Sequence, residues 1–197
     1  MEYASNVSSD ASGAAHLRER PDMLTSTERE SFARRVMEEV HRWPGVEMRP
    51  HCASTTDAEP DGVEFRLFGR QFGHIHTDCG LHVSLTKALK ASVLRERLAE
   101  PLPVAPGSGW AMFNPMSASD VDHTIWLLRL NYVRLRRQRL TPAAAARSEV
   151  LQQHEAALNT VSASVGAIVK LTQQRASKRP LPSFDAPALV PRLRLEQ

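Results

Sequence analysis

The sequence predicts an α+β domain: a small antiparallel sheet with helices packed on one face, followed by a long C-terminal helix. Three observations carry this. Short runs with period-2 alternation cluster in the first half of the chain. Stretches with apolar residues near helical spacing stand on either side of them. Strands that are neighbours in sequence, with helices at both ends, make an antiparallel sheet the economical arrangement. The 197 residues are 42% hydrophobic, enough for a core within one domain of ~100 to 150 residues plus extensions.

Residues 1–24 are rich in Ser, Ala and charge without a period, and read as a disordered segment. Thr25 and Thr27 each have Glu three residues on, the reciprocal pattern of a helix start. Phe32, Val36, Val40 and Trp43 then place one buried stripe on a helix from Thr27 to Arg42, stopped by Pro44-Gly45. Val46 to Arg49 is a short strand ending at Pro50-His51, and Cys52 to Gly62 is a polar loop.

Val63, Phe65 and Leu67 alternate with Glu64 and Arg66, and Gly69-Arg70 supplies a turn into Gln71–His76. Leu81 to Leu85 is a further strand. Thr86 caps a helix from Lys87 to Glu100, and a Pro-rich then Gly-rich loop leads to the last strand, Trp110 to Phe113. Ser117, with Asp120 three residues on, starts a helix carrying Val121, Ile125, Leu128 and Tyr132, with a basic end from Arg134 to Arg139. Cations at a helix C-terminus oppose its dipole, which accounts for part of that cluster.

Thr141-Pro142 opens the terminal helix, expected over residues 141–176. Leu151, Leu158, Val161, Val165 and Ile168 form a short heptad seam, with His154 in one core slot. Residues 177–197 read as a Pro-rich disordered tail. The domain proper is therefore expected over residues 25–140.

Composition narrows the function classes. No apolar run approaches ~18 residues, so no membrane span is expected. The first twenty residues lack an apolar secretory core, and Cys52 and Cys79 make no disulfide framework, so a cytoplasmic location is the expectation. Charge is uneven: from Arg129 onward there are 12 Lys+Arg against 4 Asp+Glu, leaving 13 against 18 before it. A net charge of +3 is low for a nucleic-acid binder, and Arg134–Arg139 lacks interleaved aromatics. The terminal helix is a possible surface for a second copy or another protein.

The candidate site lies on the hairpin. His74 and His76 alternate on one strand, so both side chains point the same way, and Asp78 follows with the same parity. A two-residue Gly69-Arg70 turn would set Phe65 opposite His74 and Val63 opposite His76, on the apolar side; a three-residue turn would set them on the wet side. Such a pair can be two half-buried core histidines, a ligand site or a metal site. Arg66 can clamp a carboxylate or phosphate. No Cys–His spacing matches a zinc finger, so no metal is assigned. No nucleophile with a base and an orienter stands out, so catalytic residues, cofactor and reaction stay unassigned.

The order Trp43-Pro44-Gly45-Val46, Pro50-His51, Val63–Leu67, Gly69-Arg70, Gly73-His74-Ile75-His76 with Asp78, Ser108-Gly109-Trp110 and Leu127-Leu128-Arg129-Leu130-Asn131-Tyr132 resembles the luciferase-like ("luciferase domain") family of small bacterial and fungal proteins. The resemblance covers Glu39 to Arg137. It implies an α+β domain and points to His51, Arg66, His74, His76, Asp78 and Trp110 as ligand-binding candidates for a small or anionic molecule. This chain departs from the pattern in a longer Cys52–Gly62 loop, in His82 where an Asp is typical, and in the helix beyond Thr141. A looser, fold-level similarity is to double-wing proteins of the MmcQ and YjbR type.

Overall fold

The computed structural model describes residues 24–52 and 59–158. The expectations for the N-terminal segment, for residues 53–58, and for the chain after Leu158, including Val161, Val165, Ile168 and the Pro-rich tail, lie outside the described residues.

The first helix, α1 (Ser26–His41), begins where the capping pattern predicts. Thr25 is the cap: its hydroxyl accepts from the Glu28 amide, and the Glu28 carboxylate accepts from the Thr25 amide at 2.8 Å. Pro44 and Gly45 end it, Gly45 with φ of 77°, and the chain enters β1 (Val46–His51). The hairpin is β2 (Gly62–Leu67) and β3 (Arg70–His76); β4 (Leu81–Ser84) follows.

Helix α2 (Lys87–Arg95) is capped by Thr86 and ends before Arg97, which adopts φ of 57°. It is shorter than its apolar pattern predicts, and the chain beyond it makes a strand that was not anticipated, β5 (Glu100–Pro101). Buried Lys90 holds the following loop by donating to the carbonyls of Pro106 and Ser108, each at 3.0 Å. Then come β6 (Trp110–Phe113) and α3 (Ala118–Arg137), whose cap is Ser117.

The six strands form one antiparallel sheet in the order β1-β2-β3-β4-β6-β5. Both edges carry a proline, Pro50 and Pro101, whose missing amide leaves the ladder unable to extend there. Phe65, Leu67, Phe72, Ile75, Leu81, Val83 and Ala111 project from the sheet into one core with α1 and α3.

Helix α3 is the centre of that core. It is buried nearly all round from Thr124 to Leu135. Asn131, wholly buried, donates from Nδ2 to the Phe72 carbonyl at 2.8 Å and to the Ser84 carbonyl, and its Oδ1 accepts from Arg134 Nε at 2.7 Å. One side chain thus ties β3 and β4 to the helix. Tyr132 donates to the Pro44 carbonyl at 3.0 Å, and Arg129 bonds Glu39 at 2.9 Å while lying over the Trp43 ring.

The terminal helix is not one piece. A short α4 (Pro142–Ala146) breaks at Arg147-Ser148, and α5 (Glu149–Leu158) starts with Ser148 accepting from the Leu151 amide at 3.4 Å. Helix α5 folds back on α3: Leu151 and Leu158 are buried, the Leu158 carbonyl accepts from Trp126 Nε1 at 3.1 Å, and His154 sits edge-on to Trp43. Burying two leucines contributes roughly 1.5–3 kcal/mol each. The described part of the heptad seam therefore serves its own domain.

Candidate functional site

Strand pairing decides which way the histidines face. The hairpin turn has two residues, but they are Phe68 and Gly69, with φ of 53° and 75°, not Gly69-Arg70. Leu67 then pairs with Arg70 and Arg66 with Gln71, but Phe65 pairs with Gly73. The extra residue, Phe72, is a β-bulge, and it inverts the parity of everything after it. His74 stands opposite Glu64 and His76 opposite Gly62, on the face turned away from α1 and α3. The apolar placement expected of a two-residue turn is thus corrected, because the bulge adds the residue that a longer turn would have supplied.

The same face collects more than the hairpin. His51 on β1 pairs with Gly62; His82 on β4 pairs with His74; Trp110 on β6 pairs with Ser84. Gly62 makes this tight, since a Cβ there would lie 2.1 Å from the Ile75 carbonyl oxygen. His51, His74, His76 and His82 converge. His51 stacks on His74 with centroids 3.7 Å apart, and Trp110 lies 5.3 Å from the His74 ring. His74 Nε2 is 2.9 Å from His82 Nδ1, which is 3.3 Å from His76 Nε2.

Two polar side chains hold the outer ring nitrogens. Gln71 Nε2 lies 3.0 Å from His74 Nδ1, and Asp61 Oδ2 lies 3.3 Å from His76 Nδ1. With Asp61 accepting the His76 Nδ1–H, His76 Nε2 is bare. Gln71 Nε2 donates to His74 Nδ1, so the neutral His74 ring carries its N–H on Nε2 and donates to His82 Nδ1, without a clash of hydrogens. One proton serves three nitrogens. Asp61 Oδ1 is buried with no hydrogen bond among the described residues and has His51 Nε2 at 3.9 Å.

The imidazoles resist protonation. Burial, reinforced by His51, His82 and His76, pushes His74 down to about 3. Burial and the neighbouring histidines also push His82 down, against the pull of Asp78 and Asp61. At neutral pH these rings are uncharged bases with lone pairs on offer.

Of the sequence-predicted residues, His51, His74, His76 and Trp110 come together. Arg66 lies on the same face but reaches the other way, bonded to Glu64 at 2.9 Å and to the Gly69 carbonyl at 2.6 Å. Asp78 is exposed in the turn after β3, where its carboxylate accepts from the Gly80 amide at 3.0 Å. Two members were not singled out for the site: His82, which period-2 alternation in β4 puts beside His74, and Asp61, in a stretch read only as loop. Cys79 is turned into the core toward the Pro115 carbonyl, and no metal-ligand role falls to it.

Fold and site together define a small α+β protein with a histidine-lined sheet face. Residues 69–131 match the family model described as Luciferase domain, so the luciferase-like resemblance stands on that segment. It runs from the hairpin turn to Asn131 and includes His74, His76, Asp78, His82 and Trp110. The similarity to MmcQ and YjbR-type proteins is not confirmed. No curated protein and no solved structure matches the chain.

Among the described residues, no helix is long and apolar enough to cross a membrane.

Proposed function

We propose that the sheet face turned away from α1 and α3 binds a small ligand, anionic in character, through His51, His74, His76 and Trp110, with His82 and Asp61 completing the site. The convergence of the ring nitrogens carries this reading. A core histidine that is merely structural bonds its own backbone partner; these bond one another and leave lone pairs without protons. The strands give a rigid platform, and the Trp110 and imidazole rings give flat surfaces for a planar molecule. His51 and His76, with side chains 17% and 22% exposed, leave the cluster reachable.

The alternative, an interaction protein using the basic end of α3, has less to draw on. Arg134 is buried against Asn131, Arg137 pairs with Glu155 of α5, and Arg136 and Arg139 lie over the Phe68 ring.

The test is native mass spectrometry of tag-free protein, with ligand-observed NMR against a panel of small carboxylates and phenols. Wild-type protein should retain or bind such a molecule, and the His74→Ala/His76→Ala double variant should not while keeping its fold. A double variant that binds as well as wild type moves the site elsewhere.

A further inference from the structure

An anionic ligand needs positive charge, and this face supplies little. Its two arginines near the cluster are already matched, Arg49 by Glu47 at 3.0 Å and Arg66 by Glu64 at 2.9 Å. The residues here are instead suited to a cation: three inward ring nitrogens share one proton, and beside them Asp61 Oδ1 has no hydrogen bond among the described residues.

We infer that His74 Nε2, His76 Nε2 and His82 Nδ1 form a site for a divalent transition-metal ion of the zinc type, with Asp61 and Gln71 orienting two of the rings. The inference rests on the ligand-binding reading and gives that site its charge. Distances support it. A tetrahedral ion with nitrogens at ~2.0–2.1 Å sets them roughly 3.3 Å apart. The nitrogens stand 2.9 and 3.3 Å apart before any ion is introduced.

The surroundings agree. A metal-bound imidazole characteristically gives its other N–H to a carboxylate or amide, which fixes the tautomer and raises basicity. Asp61 Oδ2, 3.3 Å from His76 Nδ1, is such an acceptor; Gln71 meets His74 Nδ1 with its amide nitrogen, a donor, and would turn its amide over to accept from a metal-bound His74. His51 stands beside these donors, its ligand atom and those of His74 and His76 within 4.8 Å of one another, but its ring is stacked on His74 and would have to turn to share the ion. Imidazole donors with an open position favour zinc, cobalt or copper over magnesium or calcium, which take oxygen ligands. A position left open to solvent would receive a carboxylate or phenolate oxygen of the small ligand.

Cobalt(II) titrated into the chelator-stripped full-length chain tests this. One equivalent should bind, with the intense visible absorption of a tetrahedral site, and zinc should displace it. His82→Gln and His76→Ala should each abolish the band, and Asp61→Asn should weaken binding ~10- to 100-fold. His41→Ala, on the exposed end of α1, should change nothing; circular dichroism of each variant separates loss of metal from loss of fold. Wild-type protein that gives no cobalt band and no zinc binding by calorimetry overturns the inference. The carboxylate and phenol panel run on stripped protein keeps the two readings apart. Ligand binding by stripped protein that gives no cobalt band overturns the metal site and leaves the ligand site standing. Metal binding with no panel binding does the reverse.

Discussion

The two faces of the sheet treat polar groups in opposite ways. On the α3 side, the polar groups bond backbone or an opposite charge: Asn131 meets two strand carbonyls and Arg134, Tyr132 meets the Pro44 carbonyl, and Arg129 meets Glu39, with Arg129 Nε and His154 Nδ1 left over among the described residues. On the opposite face, imidazole meets imidazole, and Asp61 Oδ1 meets no donor among the described residues. The first arrangement is closed and holds the fold. The second is open-ended, and completing it requires something from outside the chain. Both sets are partly or wholly buried, so burial does not distinguish them; the accounting of protons and lone pairs does.

Breaking the closed side should cost most. Asn131→Ala leaves two strand carbonyls and a buried guanidinium without their partner, and each such loss costs ~1–3 kcal/mol. A destabilisation of about 3 kcal/mol or more is expected in urea unfolding, and a cost below ~1 kcal/mol would remove Asn131 from its place as the clamp. Next comes Gly73→Ala. A Cβ there would stand 2.5 Å from Leu128 Cδ2 and 3.1 Å from the His82 carbonyl oxygen, so the Leu128 side chain must repack within the core, at ~1–3 kcal/mol.

His154 gives a pH-dependent test on the α5 side. Burial, with Arg129 adding to it, pushes its pKa down to about 4 from 6.5, and its Nδ1 has no partner. A depressed folded pKa means that the neutral form is the one the fold accepts. Its contribution is whole above pH 6.5 and is lost as pH falls toward 4. After allowance for partial exposure, on the order of 1 kcal/mol is at stake. His154→Leu should flatten the stability curve across that window. An unchanged slope would assign the pH dependence to other groups.

The open side should show the smallest stability effect and the largest functional one. His74→Leu replaces a buried ring, bonded only to the half-buried side chains of Gln71 and His82, with an apolar side chain of similar size, and stability should move by under ~1 kcal/mol in either direction. Small-ligand and metal binding should vanish. A loss of 3 kcal/mol instead would put His74 in the same category as Asn131 and erase the contrast between the faces.

Much of the fold is legible in the sequence because local chemistry states it. Thr25, Thr86, Ser117 and Thr141 each cap the helix that follows, and Trp110–Phe113 is the strand expected between the Gly-rich loop and Asn114-Pro115. Strand β5 escapes because two residues ending in proline carry no period. The site is legible only in part. His74 and His76 announce themselves by spacing, but their face depends on a bulge that no alternation pattern reveals. Gly73, a lone glycine inside a strand, is the available hint, since glycine there marks a bulge or a close backbone approach. His82 and Asp61 are near in space through pairing alone, 8 residues beyond His74 in one case and in a loop in the other.

Phe72, the residue at the bulge, acts on the hairpin as a frameshift acts on a message. Everything downstream of it in β3 is read out on one side of the sheet rather than the other. Removing a single residue between Arg70 and Gly73 would send Ile75 into water and drive two imidazoles into the space below α3. Lineages of this hairpin should therefore change length at this point by pairs or not at all, and an alignment of its relatives should show gaps of even size there.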